Sequence, residues 1–295
     1  MSTQPDTPDV DPDVAVEIST MSATQTRETM LSWTRRGYSV NRSILVQQPD
    51  PDKPRESTVG RLTRDRHHRA LVLYLLVLAW WPWLHDRKTP LDSEVWIRAL
   101  TAEGPGTANA LTWSASTLSR TWGVLKQYGL IQSEREGRLT RVKPRREDGL
   151  QDYQFPAGER DWFNRYFTLP DEFWTRQYFA TLSPAALAVL LIVLKETIKK
   201  PDVELLRERM SEWYGISGKT VTKGIQELID CELLDPRIER VPDAAAKYGV
   251  TDHYYYGLKG PFNTEERKAR RKTANRKRLA AERKKAKAAA PKEKS

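Results

Sequence analysis

Cysteine is nearly absent. Among 295 residues only Cys231 carries a thiol, which excludes an intramolecular disulfide and a cysteine-based metal cage. Its place among apolar positions of a predicted helix predicts a buried structural thiol. Histidine is scarce too, with four residues. His67 and His68 are adjacent and project in different directions from a helix, while His85 and His253 lack a nearby carboxylate motif, so no metal is expected. No run of 18 apolar residues occurs: the longest, from Ala70 to Leu84, contains Pro82 and gives way to His85, Asp86 and Arg87. A membrane span is therefore not expected. The first residues offer neither the basic nor the apolar stretch of a signal peptide, and the expected location is cytoplasmic, on the nucleoid. Acidic pairs such as Glu265 and Glu266 sit in polar surroundings. The expectation is a protein with no cofactor and no enzymatic reaction.

What is plentiful is positive charge, unevenly placed. The chain holds 49 basic and 39 acidic residues. Residues 263–295 alone hold 14 basic and 4 acidic ones, while residues 1–26 hold five acidic residues and no Lys or Arg. The remaining body carries 35 basic against 30 acidic residues, so the tail contributes most of the excess. Net charge alone therefore says little about what the folded part binds.

The helix pattern says more, because the chain repeats itself at an offset of 103 residues. Ser114, Thr117, Leu118, Arg120, Trp122, Leu125, Leu130 and Ile131 match Ser217, Thr220, Val221, Lys223, Ile225, Leu228, Leu233 and Leu234. The apolar matches recur at i, i+4 and i+7, one stripe of a helix, and the hydroxyl and basic matches fall off it. Each helix has a capping serine in front, and the first closes at Gly129. Residues 130–134 and 139–143 read as a hairpin bending at Gly137, and 233–241 with 252–258 as a second, longer ribbon.

Upstream of each repeat lies an apolar helix, Arg66 to Leu84 in the first case. In the second, Ser183 and Pro184 start a helix running to Thr197. Residues after Asp92 and Ser93 predict one intervening helix, and residues 203–213, through Leu205, Leu206, Met210 and Trp213, predict the other. Gly215, Ser217, Gly218, Lys219 and Thr220 mimic a phosphate loop, but two residues separate the glycines where four are needed. Most of the ten tryptophans fall on apolar faces and read as core.

The pattern from Ile216 through Leu234 resembles the winged helix-turn-helix signature of bacterial DNA-binding proteins. Phe167, Thr168, Leu169 and Pro170, followed by Leu182, Ser183, Pro184 and an apolar helix, are similar to the opening of winged-helix domains in plasmid and phage replication initiators. Such initiators often carry two winged helices, one for dimerisation and one for the origin. The resemblance implies double-stranded DNA as partner, with a homodimer as a further possibility.

The expected fold is mainly α with small β-wings, as two tandem winged-helix domains. A mostly disordered segment (1–60) precedes domain 1 (61–148); a linker (149–165), domain 2 (166–262) and a basic tail (263–295) follow. The expected DNA contacts are Ser116, Thr117, Arg120 and Thr121 on the first helix and Arg135, Arg138, Arg141 and Lys143 on its wing. Lys219, Thr220, Lys223 and Gln226 are their counterparts on the second helix. The first copy is the stronger expectation, because Glu227, Asp230, Glu232 and Asp235 at the end of the second would repel phosphates. A transcriptional regulator is the leading expectation. A replication initiator of a plasmid or other mobile element and a protein-interaction adaptor with a basic tail are the alternatives.

Overall fold

The computed structural model describes residues 20–49, 55–105, 107, 110–158 and 161–289. The acidic stretch through Glu17, and Pro291, which is expected to end the last helix, lie outside them. In chain order the elements are α1 (Ala23–Ser32), β1 (Tyr38–Arg42), α2 (Thr58–Arg64), α3 (His68–Leu84), α4 (Ser93–Leu100), α5 (Ala115–Gln127), β2 (Ile131–Glu136) and β3 (Leu139–Pro144). There follow β4 (Tyr166–Pro170), α6 (Glu172–Thr175), α7 (Tyr178–Thr181), α8 (Pro184–Glu196), β5 (Asp202–Glu204), α9 (Met210–Tyr214) and α10 (Gly218–Asp230). The ribbon β6 (Leu234–Pro242) and β7 (Val250–Leu258) and the long α11 (Thr264–Ala289) complete the chain. The fold is mainly α with small antiparallel sheets. Among the described residues no helix is long and apolar enough to cross a membrane.

The core follows from α3 and α8. Both are apolar around their whole circumference, and such helices must be covered on every side. Every residue from Ala70 to Trp80 and from Ala186 to Leu194 is buried. α5 packs on α3 and α10 on α8. The second approach is close: a Cβ on Gly224 would lie 2.4 Å from the Ala185 carbonyl oxygen. The two halves share one continuous hydrophobic core.

The sequence repeat is a structural repeat. α5 and α10 start and end at the same offset of 103 residues, behind Ser114 and Ser217, whose hydroxyls accept the Thr117 and Thr220 amides at 3.2 Å each. Both helices end alike. Leu130 and Leu233 are buried, and their amides return to the carbonyls of Leu125 and Leu228. The turn needs a left-handed residue, which is Gly129 (φ 68°) in one copy and Glu232 (φ 55°) in the other.

Several expectations change. The described part of 1–60 is ordered: β1 pairs antiparallel with β4, Tyr38 opposite Pro170, and Ile44, Leu45 and Val46 are fully buried. Arg27 of α1 is buried and donates to the carbonyls of Ala99 (3.1 Å) and Thr101 (2.5 Å) at the end of α4. The described part of 149–165 is not free of the body, since Tyr153 packs against Trp81. Residues 203–213 do not form one helix. Asp202–Glu204 pairs with Gly257 to Tyr255 of β7 instead, giving the order β5-β7-β6, and Leu206 is exposed. Cys231 is exposed rather than buried, because α10 stops at Asp230 and the Glu232 turn swings Leu233 into the core in its place.

The two left-handed turns differ in their tolerance of a side chain. Glu232→Gly should raise stability by about 0.5–1 kcal/mol by relieving the left-handed conformation, and Gly129→Ala should lower it by more than that. Gly129 has the same turn and an added clash with the Gly149 carbonyl. Denaturant unfolding of both variants checks the pair, and equal effects would refute it. Separately, burial pulls the His68 imidazole down to about 4 from 6.5. The folded state then resists protonation that the unfolded chain accepts. Stability should fall as pH drops from about 6.5 to about 4, and His68→Gln should flatten that limb of a pH–stability curve.

Candidate nucleic-acid interface

On α5 the apolar back is Leu118, Trp122 and Leu125, all buried. Ser116 and Arg120 are exposed and Thr117 is half-buried. The Ser114 hydroxyl shares hydrogen bonds with those of Ser116 and Thr117 at 3.1 and 3.0 Å. Arg120 reaches back to the Ser116 carbonyl at 3.4 Å, a weak contact that leaves its guanidinium open to solvent. Thr121 does not face outward. It lies about 60° around the helix from Leu118, on the edge of the packed stripe, and is buried. Its hydroxyl donates to the Thr117 carbonyl at 2.7 Å.

The β2–β3 hairpin divides its cations. Arg135 and Arg138 are exposed near the bend, and Lys143 is exposed 3.7 Å from Glu134. Arg141 is committed elsewhere: it pairs with Glu136 and donates to the carbonyls of Arg87 (3.0 Å) and Lys88 beyond α3. It holds the hairpin to the body and is not a free contact. Glu147 is not a surface charge of the wing. It is fully buried, 3.0 Å from the equally buried Arg42, and also accepts the Arg42 amide. Burial pushes its carboxyl upward and Arg42 opposes that shift.

On α10 the back is Val221, Ile225 and Leu228. Lys219, Lys223 and Gln226 form an exposed row at i, i+4 and i+7, with Gln226 donating to Asp230 at 2.8 Å. Thr220 is half-buried and shares a hydrogen bond with Ser217. Lys219 and Lys223 have no hydrogen-bond or ion-pair partner among the described residues. Glu227, expected to repel phosphate, is half-buried and lines the same groove as Thr220 and Lys223. Its carboxylate accepts the Ser183 amide (2.7 Å) and hydroxyl, sealing the start of α8.

A groove of about 1260 Å³ runs beside α10. One wall carries Ser217, Thr220 and Lys223, and the other carries Arg64 and Arg66 from the end of α2. Arg64 pairs with Glu56. Arg66 is exposed, in the left-handed turn (φ 60°) that ends α2. Neither arginine is among the residues expected from the repeat, although Arg61, Arg64, Arg66 and Arg69 form a visible basic run. α2 also joins the two repeated helices. Gly60 lies against the Tyr214 carbonyl before α10, and Asp65 accepts the Tyr128 hydroxyl at the end of α5. Burial, then that bond, pushes the Tyr128 phenol up to about 12.

The long ribbon is largely neutralised. Arg237 pairs with Asp202 and Glu239, and Arg240 with Asp252. Among the described residues no group of three His, Cys, Asp or Glu side chains is placed to hold a metal ion.

The role given to Glu227 is directly measurable. Glu227→Ala should cost about 1 kcal/mol of stability in denaturant unfolding, as loss of a helix cap does. No loss of stability would mean that its bonds to Ser183 do not hold the start of α8. No family model matches the chain, and neither a curated protein nor a solved structure does.

Proposed function

We propose that the chain binds double-stranded DNA through two tandem winged-helix units, with α10 as the principal reading helix, and acts as a transcriptional regulator. The major groove admits one α-helix, whose N-terminal half meets the base edges. The observation that carries this reading is the exposed row of Lys219, Lys223 and Gln226 on a helix whose back is locked by Val221, Ile225 and Leu228. The helix–strand–helix–helix–ribbon order from α8 to β7 supports the winged-helix reading of the second unit.

The preference for α10 over α5 reverses the sequence expectation for two reasons. Lys219 and Lys223 are exposed and carry no ion-pair partner among the described residues. Arg66 adds a cation across the groove, whereas the first unit spends Arg141 on its own body and buries Thr121. α5 then serves as a second contact, through Ser116, Thr117 and Arg120, with Arg135, Arg138 and Lys143 on the hairpin near phosphates. One core holds both helices at a fixed separation, which suits a bipartite site.

The test is binding of the full chain to a duplex chosen by site selection and to a random duplex. Lys219→Ala with Lys223→Ala should weaken the selected site by about 1–3 kcal/mol for each base that a lysine reads, and the random duplex by less. Arg120→Ala should do the same more weakly. Equal losses on both duplexes would reduce these residues to phosphate contacts, and no loss on either would overturn the reading. An operator beside a promoter supports regulation; repeated sites beside an origin would replace it with replication initiation.

A further inference from the structure

α11 is two things in one helix. Its first two turns are built into the fold. Arg267 is buried and donates to the carbonyls of Phe262 (2.8 Å), Leu194 (3.2 Å) and Thr197 (3.0 Å), closing the end of α8. Arg270 grips both carboxylate oxygens of Glu172 at 2.6 and 2.7 Å and also donates to the Gly37 carbonyl at 3.1 Å. Arg271 lies over the Tyr166 ring at 5.1 Å. Three arginines thus fix the direction of the helix against α8, β4 and the turn before β1.

Beyond Arg271 the helix continues for about 27 Å at 1.5 Å per residue. Lys272, Arg276, Lys277, Arg283 and Lys284 are exposed there and meet no acidic side chain among the described residues. Arg278 is compensated, by Glu282 at 2.9 Å. At about 100° per residue these cations form two rows. Lys272, Arg276 and Arg283 make one, and Lys277 and Lys284 the other, about 100° around the helix. Thr273 and Ala280 lie between the rows. Like charges four residues apart, as at Lys272 and Arg276, destabilise a helix in water, so this segment is built for a polyanion.

We propose that residues 272–284 are an oriented cationic arm that lies along the major groove of double-stranded DNA, one row of cations toward each phosphate strand. A helix 10–12 Å across fits a groove about 12 Å wide, and the small Thr273 and Ala280 let it approach the floor. The inference rests on the DNA reading and extends it to a second contact outside both repeated helices. A membrane surface does not fit, since Leu279 is the one large apolar side chain in this stretch. Single-stranded RNA fits less well, because α11 carries no aromatic ring on which a base could stack.

Three full-length proteins test this on a 40-bp duplex across a salt series, with single-stranded RNA as competitor. The first is wild type. The second changes Lys272, Arg276, Lys277, Arg283 and Lys284 to Gln, and the third is Arg270→Ala with Glu172→Ala, which keeps net charge. The Gln variant should flatten the log–log salt slope by about 4.5, since each of the five phosphate contacts contributes about 0.9, and should lose the outer part of the DNA footprint. Its melting temperature should hold or rise. The charge-neutral variant should keep the slope and blur that outer footprint. An unchanged slope in the Gln variant, with wild type binding normally, overturns the arm and leaves the DNA reading standing. An unblurred footprint in the third protein overturns its orientation. Equal arm-dependent affinity for single-stranded RNA overturns the choice of partner. Failure of wild type to bind any duplex overturns the underlying reading itself.

Discussion

A helix that is apolar on every face has to be surrounded, and this chain has two of them, α3 and α8. Neither three-helix unit alone supplies enough cover. The remainder comes from the N-terminal segment: Ile44, Leu45 and Val46, with Val59 and Leu62 of α2, are all fully buried. Removal of so much apolar surface from water is the largest favourable contribution to folding. It also has a geometric consequence. Because α2 packs against the turn before α10 at Tyr214 and its end is bonded to α5 through Tyr128, covering the shared core fixes the separation of the two repeated helices.

Polar burial refines what apolar burial begins. Arg27 closes the end of α4, Arg267 closes the end of α8, and Arg42 with Glu147 ties β1 to the segment after β3. Such groups are costly to bury alone and are tolerated here because each is hydrogen-bonded. Their value is geometric. Each locks a segment that the apolar core would leave free to slide, and Arg267 does so for the helix with more exposed cations than any other among the described residues.

What could be read from the sequence was local. The bounds of α5 and α10 follow from their serine caps and stripe, and Gly129 and Gly137 announce their turns. Glu232 in the equivalent left-handed turn gives no such signal, so the apolar pattern alone carries Cys231 into the core. β5 is three residues long, and its reason for being a strand lies in Tyr255 and Tyr256, far along the chain. The same distance hid the order in the N-terminal segment, whose partners are Ala99 and Pro170. At the candidate site, exposure of Lys219, Lys223 and Gln226 followed from the helical wheel. The commitment of Arg141 to the Arg87 and Lys88 carbonyls and of Glu227 to Ser183 did not, because charge in a sequence does not reveal which backbone group claims it.

In the proposed reading, one body held by a single core presents α10, α5 and the outer part of α11 to the same duplex. Hydrogen exchange of the full chain with and without a selected 40-bp duplex tests it most directly. The account predicts slowed exchange in the first turns of α10 and α5 and along residues 272–284, with α3 and α8 unchanged. Protection confined to the tail, or to the β6–β7 ribbon with both repeated helices unaffected, would contradict it.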